Sequence, residues 1–194
     1  FTERGTTDFF LLFNMHWESI RVQLILWFCF FLSFAIKMPM FPFHIWLPEA
    51  HVEAPTAASV ILAALLLKLG GYGFIRFFPM FPYAYYYWTP VMYSLGVLGI
   101  IYGSLAAIRQ IDLKKVIAYS SVAHMNLGTI GIFSLNFQSI QGSIFLMISH
   151  GVVSSALFFL VGMLYDRYGS KFLDYYGGLV VTMPVFSSFF FFFH

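Results

Sequence analysis

Lys68 stands in "SVILAALLLKLGGYGF" (59–74), an apolar run in a segment long enough to cross a membrane. A charge at the bilayer centre costs from about 3 to more than 10 kcal/mol, so a lysine there requires a reason. Two reasons are open. Lys68 can be structural, pairing with a carboxylate or capping the carbonyls of a broken helix. It can also carry a proton. Burial disfavours an ammonium and a nearby carboxylate favours it. At about 8 Å and an effective dielectric of about 20, one unit charge contributes roughly 2 kcal/mol. Moving such a charge would load or unload the lysine.

A second group lies in "RQIDLKKVIAYSSVAHMNLG" (109–128). Asp112, Lys114 and Lys115 read on composition as a solvated loop between helices. His124 follows in an apolar stretch, and His150 lies deep in "FLMISHGVVSSALFFLVGMLY". A histidine titrates near neutral pH and passes a proton through either ring nitrogen. A single buried histidine is ordinarily a packing residue; two of them among serines are equally compatible with a hydrated polar path.

Other chemistry fails on residue type or spacing. "GGYGF" lacks the strand–turn–helix setting of a dinucleotide loop. His44 and His51, seven residues apart with proline between them, fit helical metal-ligand spacing poorly. The carboxylates lie outside the apolar spans, which leaves no Ser–His–Asp arrangement, and Glu49 and Glu53 suit a helix entrance. One cysteine, Cys29, supplies neither an iron–sulfur cluster nor a structural zinc site. No metal or cofactor is expected in the chain.

The elements that must position these residues follow from composition. The 194 residues are 60% hydrophobic and 9% charged, against roughly 25% charged in a soluble domain. Such a chain is solvated by lipid or by other membrane proteins. A net charge of +2 without a basic run excludes nucleic acid as a partner. The opening "FTERGTTDFF" has no signal-peptide core. Twenty-six phenylalanines hint at T-rich codons and an organellar genome.

Apolar stretches of 15 to 26 residues, free of charge apart from Lys68 and Arg76, predict spans at Val22–Ile36, Ala57–Phe78, Pro90–Ile108, Val116–Phe133 and Ile140–Tyr165, with a sixth beginning at Leu179–Phe193. "MPMFPFHIWLPEAHVEAPT" and "FFPMFPYAYYYWTP" read as interfacial connections, and "GGYG" (70–73) as a helix interruption at membrane depth. The expected fold is all-α: a polytopic membrane protein of about six transmembrane helices, one broken near Gly70–Gly73. A polar segment, 1–19, precedes one transmembrane domain, 20–194, with no repeat or second domain.

Three stretches carry a resemblance. "FPFHIWLPEAHVEAPTAASVILAALLLKLGGYGFIRF" (41–77) resembles the signature of the antiporter-like proton-pumping subunits of respiratory complex I, the NADH:ubiquinone oxidoreductase, and within them the subunit 4 family. "IRQIDLKKVIAYSSVAHMN" and "HGVVSSALFFLVGMLYDRYG" resemble the next two signatures, in order. The resemblance implies an antiporter-like bundle in which Lys68 is the buried proton carrier, Lys114 belongs to the hydrophilic axis, and His150 lies toward the proton outlet. His124 joins them as a candidate.

It further implies an enzyme subunit that performs no redox chemistry itself. NAD, FMN, iron–sulfur clusters and ubiquinone would reside in partner subunits of the membrane and peripheral arms. The expected place is the mitochondrial inner membrane, or the plasma membrane of a bacterium. The family's glutamate partner for the central lysine has no counterpart in this sequence, nor has its charged residue on a second broken helix. The missing helices imply either a subunit split among companion fragments, the favoured expectation, or a sequence that represents part of the product; a cation/proton antiporter subunit is the alternative function.

Overall fold

The computed structural model describes residues 5, 8–13, 19–77 and 80–193. Ten α-helices occur among them, with no strand beyond one isolated bridge between Asp112 and Phe172. The expected polar segment 1–19 lies largely outside the described residues; within it α1 runs Phe9–Phe13.

Five helical stretches are long and apolar enough to cross a membrane: α2 (Ile20–Lys37), the Thr56–Phe77 segment, α6 (Pro82–Arg109), α7 (Leu113–Phe133) and α8 (Phe137–Tyr168). The first five predicted spans fall on these. The sixth begins in two short helices that reach the last described residue. α9 (Leu179–Thr182) stops before Pro184, and α10 (Pro184–Phe193) has 10 residues, about 15 Å. Proline removes a backbone donor and favours the first turn of a new helix, which divides the apolar run.

Two expectations are corrected. Residues 70–73 do not interrupt a helix. They lie inside α5 (Leu67–Phe77), and the irregularity precedes Lys68: α4 (Thr56–Ile61) passes into a π-helical turn, Leu62–Leu66, before α5. The glycines serve close packing. A Cβ at Gly70 would lie 2.7 Å from Met38 N, and one at Gly73 2.5 Å from the Phe34 ring. The aromatic stretch 77–90 is also not a connection throughout, because α6 starts at Pro82 and runs through Pro90. The Thr89 hydroxyl donates to Tyr85 O at 2.8 Å beside it, and membrane helices tolerate interior proline.

The helices pack along glycine notches, as lipid-solvated helices do. Gly99 of α6 receives Asn126 of α7, Gly131 of α7 faces Ser143 of α8, and Gly162 of α8 receives Thr56. The main core gathers aromatic rings from α2, α5, α6 and α7: Trp27, Phe31, Phe74, Phe81, Tyr85 and Phe133 are each at most 5% exposed. The α2–α5 connection holds α3 (Trp46–Glu53), pinned to the end of α2 by Trp46 Nε1 donating to Ile36 O at 3.0 Å.

Candidate functional site

Lys68 is the second residue of α5, two residues past Leu66, where the π turn ends. The turn directs its side chain. Leu67 N–H donates to Leu62 O, five residues back, rather than to Ala63 O, its α-helical partner. The Ala63 carbonyl is thereby open to another donor, and the Lys68 ammonium hydrogen-bonds to it. Lys68 Nζ also lies 2.9 Å from His150 Nδ1 on α8. Gly151 admits this approach: a Cβ there would sit 3.2 Å from Ala64 O and 3.5 Å from Lys68 Cε.

The His124 and His150 rings follow at 5.9 Å between centroids, tilted by 56°. His150 is 7% exposed, and its carbonyl accepts the Ser154 hydroxyl at 2.6 Å. Lys68, His150 and His124, separated by up to 82 residues in sequence, thus form one contiguous polar cluster from three helical segments. A lysine ammonium facing an imidazole nitrogen is a pair that can exchange a proton, since an imidazole takes and gives one through either ring nitrogen.

Lys114 is not part of that cluster. It sits in the first turn of α7 and donates from Nζ to Ala54 O at 3.1 Å, while Lys171 donates to Val52 O at 3.1 Å. Two cations therefore cap the free carbonyls at the C-terminus of α3, where the helix dipole favours positive charge. The Tyr165 ring lies beside both, 5.9 Å from Lys114 Nζ and 5.6 Å from Lys171 Nζ. Lys115, also assigned to a solvated loop by composition, pairs with exposed Glu49 at 3.0 Å.

The two groups share a face of α8. His150, Ser154, Phe158 and Tyr165 recur at spacings of four, four and seven, which places Tyr165 about 22 Å along the axis from His150. His51 stacks on Phe158 between them, with centroids 4.3 Å apart and the planes 15° from parallel. It is fully buried, and neither ring nitrogen has a hydrogen-bond partner among the described residues. Burial, and secondarily the Lys114 cation, holds its pKa down at about 4, so its imidazole is neutral at physiological pH.

His44 is lowered as well, by burial alone. Sequence reasoning weighed His51 only as a metal ligand and did not single out Lys171. What marks both is their placement against α3 and α8, to which spacing in the chain is blind. No group of three or more potential metal ligands occurs among the described residues.

The whole chain, residues 1–194, matches the family model described as NADH:quinone oxidoreductase/Mrp antiporter, transmembrane. It is 64% identical over 194 residues to the NADH-ubiquinone oxidoreductase chain 4 of Marchantia polymorpha, covering all of this chain and 39% of that one. It is 65% identical over 192 residues to the same-named chain of Triticum aestivum, covering 98% and 39%. The chain therefore spans about two fifths of the length of these relatives.

Among solved structures, respiratory complex I from Thermus thermophilus matches with a TM-score of 0.85 at 32% identity, over 92% of this chain and 38% of that one. The Mrp complex of Dietzia sp. matches with a TM-score of 0.85 at 24% identity, over 96% and 35%, and at that identity it speaks for the fold alone. With all 194 residues matched by the family model, the chain belongs to the NADH:quinone oxidoreductase/Mrp antiporter transmembrane family.

Proposed function

We propose that this chain is part of a proton-translocating membrane-arm subunit of NADH:ubiquinone oxidoreductase, set in the mitochondrial inner membrane. The observation that carries the reading is the Lys68 Nζ–His150 Nδ1 contact of 2.9 Å, with the His124 ring directly behind it. A lysine held against an imidazole, in a segment apolar enough to span a membrane, is arranged to give and take a proton. Identity above 60% to chains named for the respiratory enzyme favours it over the antiporter branch.

In this reading Lys68 is the carrier, His150 its acceptor and His124 the next station. Lys114 serves the α3–α7–α8 end of the bundle, about 22 Å away along α8. Redox energy arrives from partner subunits, which hold NAD, FMN, the iron–sulfur clusters and ubiquinone. The remaining helices, on the same polypeptide or on companion fragments, supply the carboxylate that switches Lys68.

The test is Lys68→Met in the intact complex, with protons translocated per NADH oxidised as the readout and assembly followed on native gels. Fewer protons per NADH in a fully assembled complex is the expected result. Unchanged stoichiometry would remove Lys68 from the pathway.

A further inference from the structure

We propose that the Lys68 proton holds the π turn at Leu62–Leu66, so that protonation of the lysine and the helical register beneath it are one coupled switch. This rests on the reading of Lys68 as the proton carrier and goes beyond it, assigning the Ala63 carbonyl as the positioning group of the charged state.

The hydrogen-bond inventory around the turn carries the inference. In an α-helical register Leu67 N–H would bond Ala63 O. Here it bonds Leu62 O, which deprives Ala63 O of its backbone donor, and the Lys68 ammonium takes that place. A buried carbonyl without a donor is unfavourable, so the charged side chain stabilises a register that is otherwise rare. A hydrogen bond from an ionised donor is roughly twice as strong as a neutral one. Removing the charge therefore weakens the bond that favours π over α.

The proton's destination lies within reach. The N–H bond of the ammonium breaks and one forms at His150 Nδ1, 2.9 Å away, leaving a neutral amine whose lone pair accepts from the new imidazolium N–H. The amine then binds Ala63 O as an ordinary neutral donor, and Leu67 N–H competes for that carbonyl. Return of Leu67 N–H to Ala63 O converts the turn to α-helix and rotates α4 relative to α5, which the Gly70 and Gly73 contacts hold on α2.

The surroundings permit such a movement. Ala64 O bulges toward Gly151, where a Cβ would meet it at 3.2 Å. On the far side of Lys68, Gly71 faces the sulfur atoms of Met38 and Met147. Thioether side chains are flexible and re-pack readily.

The experiment is a high-resolution structure of the intact complex carrying Lys68→Met, with proton pumping measured on the same preparation. The expected result is an α-helical turn, with Leu67 N–H on Ala63 O, and loss of pumping. A π turn retained at Leu62–Leu66 overturns the coupling, and if pumping is lost alongside it the proton-carrier reading survives. An α-helical turn with normal pumping per NADH does the reverse.

Should the variant fail to assemble, the wild-type complex solved at pH 6 and at pH 10 gives the same decision: π at the lower pH and α at the higher, or no change and refutation. Deleting Ala64 gives an independent check, since removing one residue turns a π turn into α-helix while preserving the faces on either side. Its expected effect is loss of pumping with NADH oxidation by an artificial acceptor retained. Normal pumping by that deletion would overturn the proposal.

Discussion

Replacing Gly70 by alanine tests whether the packing of α5 on α2 sets the geometry of the Lys68 cluster. The added Cβ would lie 2.7 Å from Met38 Cβ, 2.7 Å from Met38 N and 2.8 Å from Phe34 O, about 0.7 Å short of ordinary 3.4 Å contact. Two of these three atoms are backbone and cannot rotate away. They are also bonded to each other, Met38 N–H donating to Phe34 O at 2.7 Å in the last turn of α2.

The strain cannot escape across the helix either, because the next residue, Gly71, is pressed by Met147 of α8. Overpacking of this kind costs about 1–3 kcal/mol, offset by about 1 kcal/mol of better helix propensity. A net loss of up to about 2 kcal/mol follows. The geometric consequence is larger than the energetic one. Lys68 is two residues away, and a 0.7 Å displacement carries a 2.9 Å contact with His150 to about 3.6 Å, no longer a hydrogen bond.

The expected phenotype in the intact complex is a modestly lowered melting temperature and a clear fall in protons pumped per NADH. Gly142→Ala is the control, because a Cβ there meets nothing within 4 Å. It should be neutral or stabilising by up to about 1 kcal/mol, with normal pumping. If Gly70→Ala melted and pumped like the unmodified complex, close α2–α5 contact would not be what positions Lys68.

Two other perturbations have calculable outcomes. His51 titrates at about 4 in the folded chain, against 6.5 when unperturbed, so between these values the unfolded state binds more protons and stability falls as pH falls. The loss approaches about 3 kcal/mol below pH 4. The melting temperature of the detergent-solubilised complex should drop across that window, and drop less for His51→Gln. Tyr85→Phe removes the donor to Ile132 O while keeping the ring stacked on Phe133 at 4.7 Å. A buried carbonyl left bare costs about 1–3 kcal/mol, measurable as a lower melting temperature with unchanged pumping stoichiometry.

How far the sequence reached differs between fold and site. Class and most span positions were legible because both are one-dimensional: apolar length against bilayer thickness, with Arg21 and Lys37 bracketing the α2 span. Lys68, His124 and His150 were legible because polar groups in apolar runs are costly and thus conspicuous. Local chemistry misled where it has two solutions. "GGYG" is compatible with a broken helix and with close packing, and only Met38 and Phe34 pressed against it decide for packing. Pro90 terminates a helix in water and is accommodated here within α6.

What the sequence determined by itself is a membrane-solvated helical chain carrying a few expensive polar residues, because solvation energy depends on composition and span length alone. Tertiary structure decided which of those residues meet. Lys68 joins His150 across 82 positions, and Lys114 instead joins Lys171 at the end of α3. His51 becomes a buried imidazole on Phe158, and a one-residue slip in hydrogen bonding opens Ala63 O to Lys68. Such contacts depend on helix rotation and crossing, which are set by glycine notches on neighbouring helices and by no local pattern within one of them.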